Sequence, residues 1–158
     1  MQKIMKVLKL TVNEQKTKTC QLPEESFDFL GYTIGRCYST RTGRAYLGTR
    51  PAQKRIQRIC ADVSEQTQRS TQGKQAEDLV AGLNRKLRGW ANYFCLGPVS
   101  KAYRAVDSHT RPRLRRWLCG KHKKAGTGMG AYPDEYLYEK LGLLRLEKQT
   151  ANLPWATT

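Results

Sequence analysis

Acidic residues are scarce in this chain: 13 Asp and Glu stand against 29 Lys and Arg, giving a formal charge of +16 and a pI near 10.0. So much like charge repels itself, and a polyanionic partner relieves it. Nucleic acid is the first candidate and an anionic membrane surface the second. Long apolar runs are also missing, and none approaches the roughly 20 residues of a membrane span. The opening residues place Lys3, Lys6 and Lys9 among apolar ones, whereas a secretory signal separates its charged and apolar stretches. The expectation is a cytoplasmic protein with no membrane partner. The five cysteines, Cys20, Cys37, Cys60, Cys95 and Cys119, form no C-x-x-C pair. Their odd number and wide spacing argue against a zinc site and a disulfide framework. Only His109 and His122 represent histidine, with no second ligand at metal spacing. No metal site is expected.

What is present is organised. The 158 residues suffice for one domain, or two small units sharing a core. Residues 1–60 carry 12 basic and 4 acidic side chains, residues 61–98 carry 5 and 4, residues 99–124 carry 9 and 1, and residues 125–158 carry 3 and 4. Two basic blocks therefore flank a nearly neutral stretch. A merely solubilising surface mixes its signs along the chain, so the segregation points to a binding footprint.

Periodicity gives a coarse map. Met1, Ile4, Met5 and Leu8 suggest a short helix over residues 1–10, and a polar turn over 11–17 leads into a short strand near Lys18–Leu22. Phe27, Phe29 and Tyr32-Thr33-Ile34 suit strands, Thr42-Gly43 a hairpin turn, and Arg44–Gly48 the return strand. Helix signals begin at Thr49, with Pro51 in a first turn where its missing N–H costs nothing. Ala52, Ile56, Ile59, Cys60 and Val63 mark one face of that helix, which ends near Arg69. Ala76, Leu79, Val80, Leu83, Leu87, Trp90, Ala91 and Phe94 form the clearest stripe, closed by Gly97-Pro98. A third helix follows, with Ser100 as cap, Tyr103, Val106, Leu114, Trp117 and Leu118 as its apolar side, and Pro112 as a kink. Residues 125–130 read as a glycine-rich connector, Pro133–Lys140 as a short helix, and Leu141–Leu146 as an apolar segment that docks back. Residues 147–158 are expected to fray.

Two groups of residues carry a resemblance. Leu10-Thr11-Val12-Asn13-Glu14-Gln15-Lys16-Thr17 and Phe27-Asp28-Phe29-Leu30-Gly31-Tyr32 resemble the last two blocks of a reverse transcriptase palm. Leu83-Asn84-Arg85-Lys86-Leu87-Arg88-Gly89-Trp90-Ala91-Asn92-Tyr93-Phe94 is similar to the core of the group II intron maturase-specific domain. Arg113-Leu114-Arg115-Arg116-Trp117-Leu118 with Lys121-His122-Lys123 looks like its next helix, and Tyr138–Leu143 like its closing segment. The resemblance implies an α+β, mainly α chain. A small antiparallel hairpin of the palm, residues 1–48, precedes a three-helix thumb/maturase bundle, residues 49–124. Residues 125–158 form a linker and docking segment.

The resemblance also implies a function. In that family this region binds intron RNA to assist splicing and steadies the template–primer duplex during reverse transcription. Cytoplasmic location, a bacterial mobile element as source and a separate chain supplying the rest of the palm belong to the same expectation. The family's polymerase chemistry uses an Asp-Asp hairpin and a further aspartate to hold two Mg²⁺ ions. This sequence has no Asp-Asp pair, and by the resemblance its first residue falls after that hairpin's place, so the chain is expected to be inactive alone and to need no cofactor. Lys16 matches a lysine near the incoming nucleotide's phosphates, where an ammonium offsets negative charge; a surface lysine remains the alternative. Phe29, Leu30, Gly31 and Tyr32 resemble the primer grip, with Phe27 and Phe29 expected in the core. Candidate nucleic-acid contacts are Arg55, Arg58, Arg85, Lys86, Arg88 and Asn92, off the apolar stripes, then Arg111, Arg113, Arg115, Arg116, Lys121 and Lys123. Trp90, Phe94 and Trp117 are read as core. The competing readings are a degenerate reading-frame product without activity and a general basic nucleic-acid-binding protein.

Overall fold

The computed structural model describes residues 20–39, 42–150 and 153. The expected helix over residues 1–10, the block containing Lys16 and most of the expected frayed end lie outside them. Residues 20–22 form no strand. Gln21 and Glu25 instead close a turn on each other: the Glu25 N–H donates to the Gln21 carbonyl at 2.8 Å, and the Gln21 N–H donates to the Glu25 carboxylate at 3.0 Å.

Three antiparallel strands follow in chain order: β1 (Phe27–Phe29), β2 (Tyr32–Tyr38) and β3 (Ala45–Pro51). Leu30 and Gly31 turn β1 into β2 with φ of 51° and 85°, and Gly43 at φ 66° serves the β2–β3 turn as its sequence suggested. The return strand runs further than periodicity implied. Pro51 pairs with Tyr32 at the end of β3 and starts no helix. An edge strand such as β3 tolerates a missing N–H as well as a helix's first turn does, so composition alone does not separate the two.

Helix α1 (Gln53–Gln66) buries Ile59 and Val63. Helix α2 (Ala76–Tyr93) buries Leu79, Val80, Leu83, Leu87 and Ala91, the stripe read from the sequence. Helix α3 (Ser100–Lys121) runs unbroken through Pro112, with Val99 in its cap position. Both Pro112 and Ser108 are exposed, so water can reach the carbonyl that proline leaves without its N–H. Trp117 is 1% exposed, and its indole N–H donates to Thr71 Oγ1 at 2.9 Å. Tyr103 closes the middle of the bundle, its hydroxyl donating to the Ala91 carbonyl at 2.9 Å.

The C-terminal segment docks as expected, and it completes the bundle's own core. Tyr132, Leu137, Leu143 and Leu146 join the same buried cluster as Leu83 and Trp117. The short helix at residues 136–140 has π geometry, and α4 is Leu146–Gln149. Two polar clamps set the register. The Asn84 amide donates to the Gly142 carbonyl at 2.8 Å while its oxygen accepts the Leu144 N–H at 2.7 Å. Asp107, buried in α3, accepts the Leu146 and Glu147 N–H groups at 3.1 and 2.9 Å and so caps α4 from a neighbouring helix.

The sheet stands apart from that core. No residue of β1–β3 belongs to the buried helical cluster. Phe29, expected inside, is 58% exposed, and Phe27 is only half-buried. The reason is local: β1 is a three-residue edge strand, and among the described residues no helix covers it. The attachment to the bundle is aromatic. Tyr32 lies 5.2 Å from Phe94, Phe94 5.1 Å from Trp90, and Trp90 5.8 Å from Tyr103, a chain of tilted rings from sheet to core.

Candidate nucleic-acid interface

The β1–β2 turn is bolted to the end of α2 by two tyrosines. The Tyr32 hydroxyl donates to the Tyr93 carbonyl at 2.5 Å, and the Tyr93 hydroxyl donates to the Leu30 carbonyl at 2.9 Å. The Ala52 N–H donates to the Gly31 carbonyl at 2.9 Å, tying the turn to the start of α1. Gly31 is needed here on two grounds. Its φ is left-handed, and a Cβ would sit 3.0 Å from Arg55 Nε and 3.2 Å from the Phe94 ring.

This arrangement leaves a cleft of about 330 Å³ between the turn, α1 and α2. Ile59 and Phe94 are buried at its base, while Leu30 and Tyr93 stand at 67% and 54% exposure on its rim. Arg55 and Arg58 line it from α1, and a second depression beside it adds Lys54. The structure thus brings the primer-grip-like turn together with two of the candidate arginines, residues that the sequence holds some 25 positions apart.

Helix α2 presents cations on two faces. Lys86 shares a flank with Trp90 and Tyr93 at i, i+4, i+7 spacing, beside the cleft. Arg85, Arg88 and Asn92, at i, i+3, i+7, point away from the core. Arg55, Arg58, Arg85, Lys86, Arg88 and Asn92 are all exposed. None makes an ion pair or hydrogen bond with the described residues, so their donors stay open.

The C-terminal basic block is built differently: four of its six candidate cations, Arg111, Arg113, Arg115 and Lys121, spend donors on the fold. Arg115, 8% exposed, pairs with Asp134 and donates through Nε to the Tyr132 carbonyl at 2.9 Å. Arg111 reaches the same carboxylate at 3.1 Å. Arg113 caps the end of α1, donating to the Ser64 carbonyl at 2.8 Å and to Thr67 Oγ1 at 3.1 Å. Lys121 donates to the Lys74 and Gln72 carbonyls at 2.7 and 3.2 Å. Of the block's candidates, Arg116 and Lys123 remain exposed without a partner among the described residues. Trp117 is core as expected, whereas Trp90 is only half-buried and lines the cleft.

Burial shifts several titrations. It pushes Tyr103 up to about 12 and raises Asp107 above the ordinary carboxylate range, against the pull of the Glu147 and Leu146 N–H groups. Neither residue faces the cleft. Among the described residues no three His, Cys, Asp or Glu side chains group as a metal site, and no helix is long and apolar enough to cross a membrane.

Residues 56–132 match the family model of the group II intron maturase-specific domain. Over this stretch, a little under half of its length, the chain is similar to that domain. No curated protein matches it. The maturase-specific match takes in α2 and α3 entirely, most of α1 and the connector up to Tyr132. It includes the exposed cations of α2 and the walls of the cleft formed by Arg58, Trp90 and Tyr93. The Leu30–Gly31 turn lies outside it. Sequence reasoning did not single out Lys54, Asp62 or Tyr93 as cleft residues. For Tyr93 a signal existed, since it sits three residues beyond Trp90 and off the apolar stripe.

Proposed function

We propose that this chain is a group II intron maturase fragment that binds RNA, with group II intron RNA as its specific partner, and assists that RNA's folding for splicing. In an intact reverse transcriptase the same surface steadies the template–primer duplex, with Leu30 and Gly31 near the primer backbone. The supporting observation is the set of unspent cations around one aromatic-lined cleft: Arg55, Arg58 and Lys86 beside it, with Arg85 and Arg88 continuing around α2. Guanidinium groups without internal partners are available to phosphates. Folded RNA offers such phosphates at high density, and proteins read it by shape and backbone. With no Asp-Asp pair, the chain's own part is binding and positioning, while two-metal chemistry belongs to aspartates elsewhere in the palm.

Electrophoretic binding to a group II intron RNA, beside bulk transfer RNA, tests this reading. Preference for the intron RNA at moderate salt is the expected result. Affinity should fall steeply with salt, the log–log slope being about 0.7–0.9 per phosphate neutralised. Equal affinity for both RNAs would reduce the protein to a general basic binder and refute the maturase reading.

A further inference from the structure

The cleft holds one residue that a simple phosphate-binding surface does not explain. Asp62 lies among its lining residues, on the same α1 flank as Arg55 and Arg58. It is half-buried, and it makes no ion pair or hydrogen bond with the described residues, although Arg58 stands one helical turn away. A carboxylate offers acceptors only. Inside a cationic cleft it repels a phosphate and attracts a group rich in N–H donors. Arg55 and Arg58 are exposed and Asp62 is half-buried, so a phosphate suits the arginines and a donor-bearing group suits Asp62.

The other lining residues narrow the chemistry. Trp90 and Tyr93 offer aromatic surface, and Leu30 adds an apolar side chain to the lining. At about 330 Å³ the space is far too small for a duplex, and it falls at the low end of the roughly 300–1,000 Å³ typical of small-ligand sites. Single-stranded bases splay out of folded RNA, stack on aromatic side chains and are read along their hydrogen-bonding edges. Among the four bases, guanine alone presents two adjacent donors, N1–H and the 2-amino group, on its Watson–Crick edge. That pair matches the two oxygens of one carboxylate.

We infer that the cleft receives a single unpaired guanine of the bound RNA. Its ring stacks against Trp90 and Tyr93, its N1–H and amino group donate to Asp62, and its flanking phosphates meet Arg55 and Arg58. This rests on the RNA-binding reading above and adds a base-specific subsite to it. Asp62 is the specificity-determining residue, and the arginines supply affinity for any base.

Five hairpin RNAs of identical stem, bulged with guanine, adenine, uracil, cytosine or an abasic nucleotide, distinguish the two readings. Binding to the full chain is measured at one fixed salt concentration, with Trp90 fluorescence as a second readout. Bulged guanine is expected to bind about tenfold tighter than the abasic control and to quench Trp90. Asp62→Asn should erase the guanine preference and leave abasic-hairpin affinity unchanged or slightly raised. Because Asp62 holds no internal bond, that variant should keep the wild-type unfolding midpoint. Trp90→Phe should abolish the quenching. Equal binding of all five RNAs, or a guanine preference that survives Asp62→Asn, overturns the subsite while RNA binding stands. Failure to bind any hairpin or the intron RNA overturns both.

Discussion

Arg115 and Arg116 are neighbours in sequence with opposite fates, and replacing each by alanine separates fold from interface. Arg115→Ala removes the donor to the Tyr132 carbonyl and one of the two guanidinium groups on Asp134. An acceptor left unsatisfied in a buried setting costs about 1–3 kcal/mol. Lost packing of the side chain's aliphatic stem adds about 0.8 kcal/mol per buried methylene. The loss should stop short of the roughly 3–5 kcal/mol seen when a buried pair is broken outright, because Asp134 is 39% exposed and keeps Arg111. The expected destabilisation is about 2–4 kcal/mol, read as a lowered urea midpoint at constant slope. Arg116→Ala, at an exposed position without a partner among the described residues, should stay within about 0.5 kcal/mol of wild type. RNA binding should invert the order. Under conditions where both variants are folded, Arg116→Ala should weaken binding and lower the salt slope by about 1, while Arg115→Ala leaves both unchanged. Equal stability of the two variants, or a larger binding defect in folded Arg115→Ala, would refute the assignment of these donors.

Gly31→Ala should destabilise the turn by about 1–2 kcal/mol through its left-handed backbone and push Arg55 and Phe94 out of the cleft; urea unfolding together with RNA affinity checks this, and a neutral result would mean that the turn relaxes freely. Arg85→Ala and Arg88→Ala should each lower the salt slope by about 1 with little change in stability, and an unchanged slope would place α2's outer face away from RNA. Asp107 is predicted to shape the pH profile. Its folded pKa is raised, so the native state binds more protons than the unfolded state across the window just above the ordinary carboxylate range. The residue's contribution to stability therefore rises as pH falls through that window. Asp107→Asn should flatten this component in denaturation curves taken from neutral to mildly acidic pH; a profile identical to wild type would contradict the elevated titration.

How much of this was legible depended on the range of the interaction concerned. Helix α2 was readable almost to the residue, because eight apolar positions repeat over five turns and nothing local competes. The docking of Leu143 and Leu146 was likewise visible as an apolar segment after a glycine-rich connector. The fate of Arg111, Arg113 and Arg115 was not. Their partners, Asp134, Tyr132 and the end of α1, lie from 17 to 49 residues away in sequence, and side-chain spacing within α3 carries no trace of them. Phe29 was misread for a related reason: alternation along a strand distinguishes two faces but does not say which one another element will cover. At the cleft, Leu30, Arg55, Arg58 and Trp90 were each legible only on their own elements, and only the crossing of the turn over α1 and α2 gave them a common space.

The crossed tyrosine bonds have a consequence for variation at the cleft. Both hydroxyls end on main-chain oxygens, those of Leu30 and Tyr93, so the anchorage is indifferent to which side chain occupies position 30. Within the residues its left-handed φ of 51° accepts, that rim side chain can change, altering what an incoming group meets. Two separate bonds, one in each direction, hold the frame.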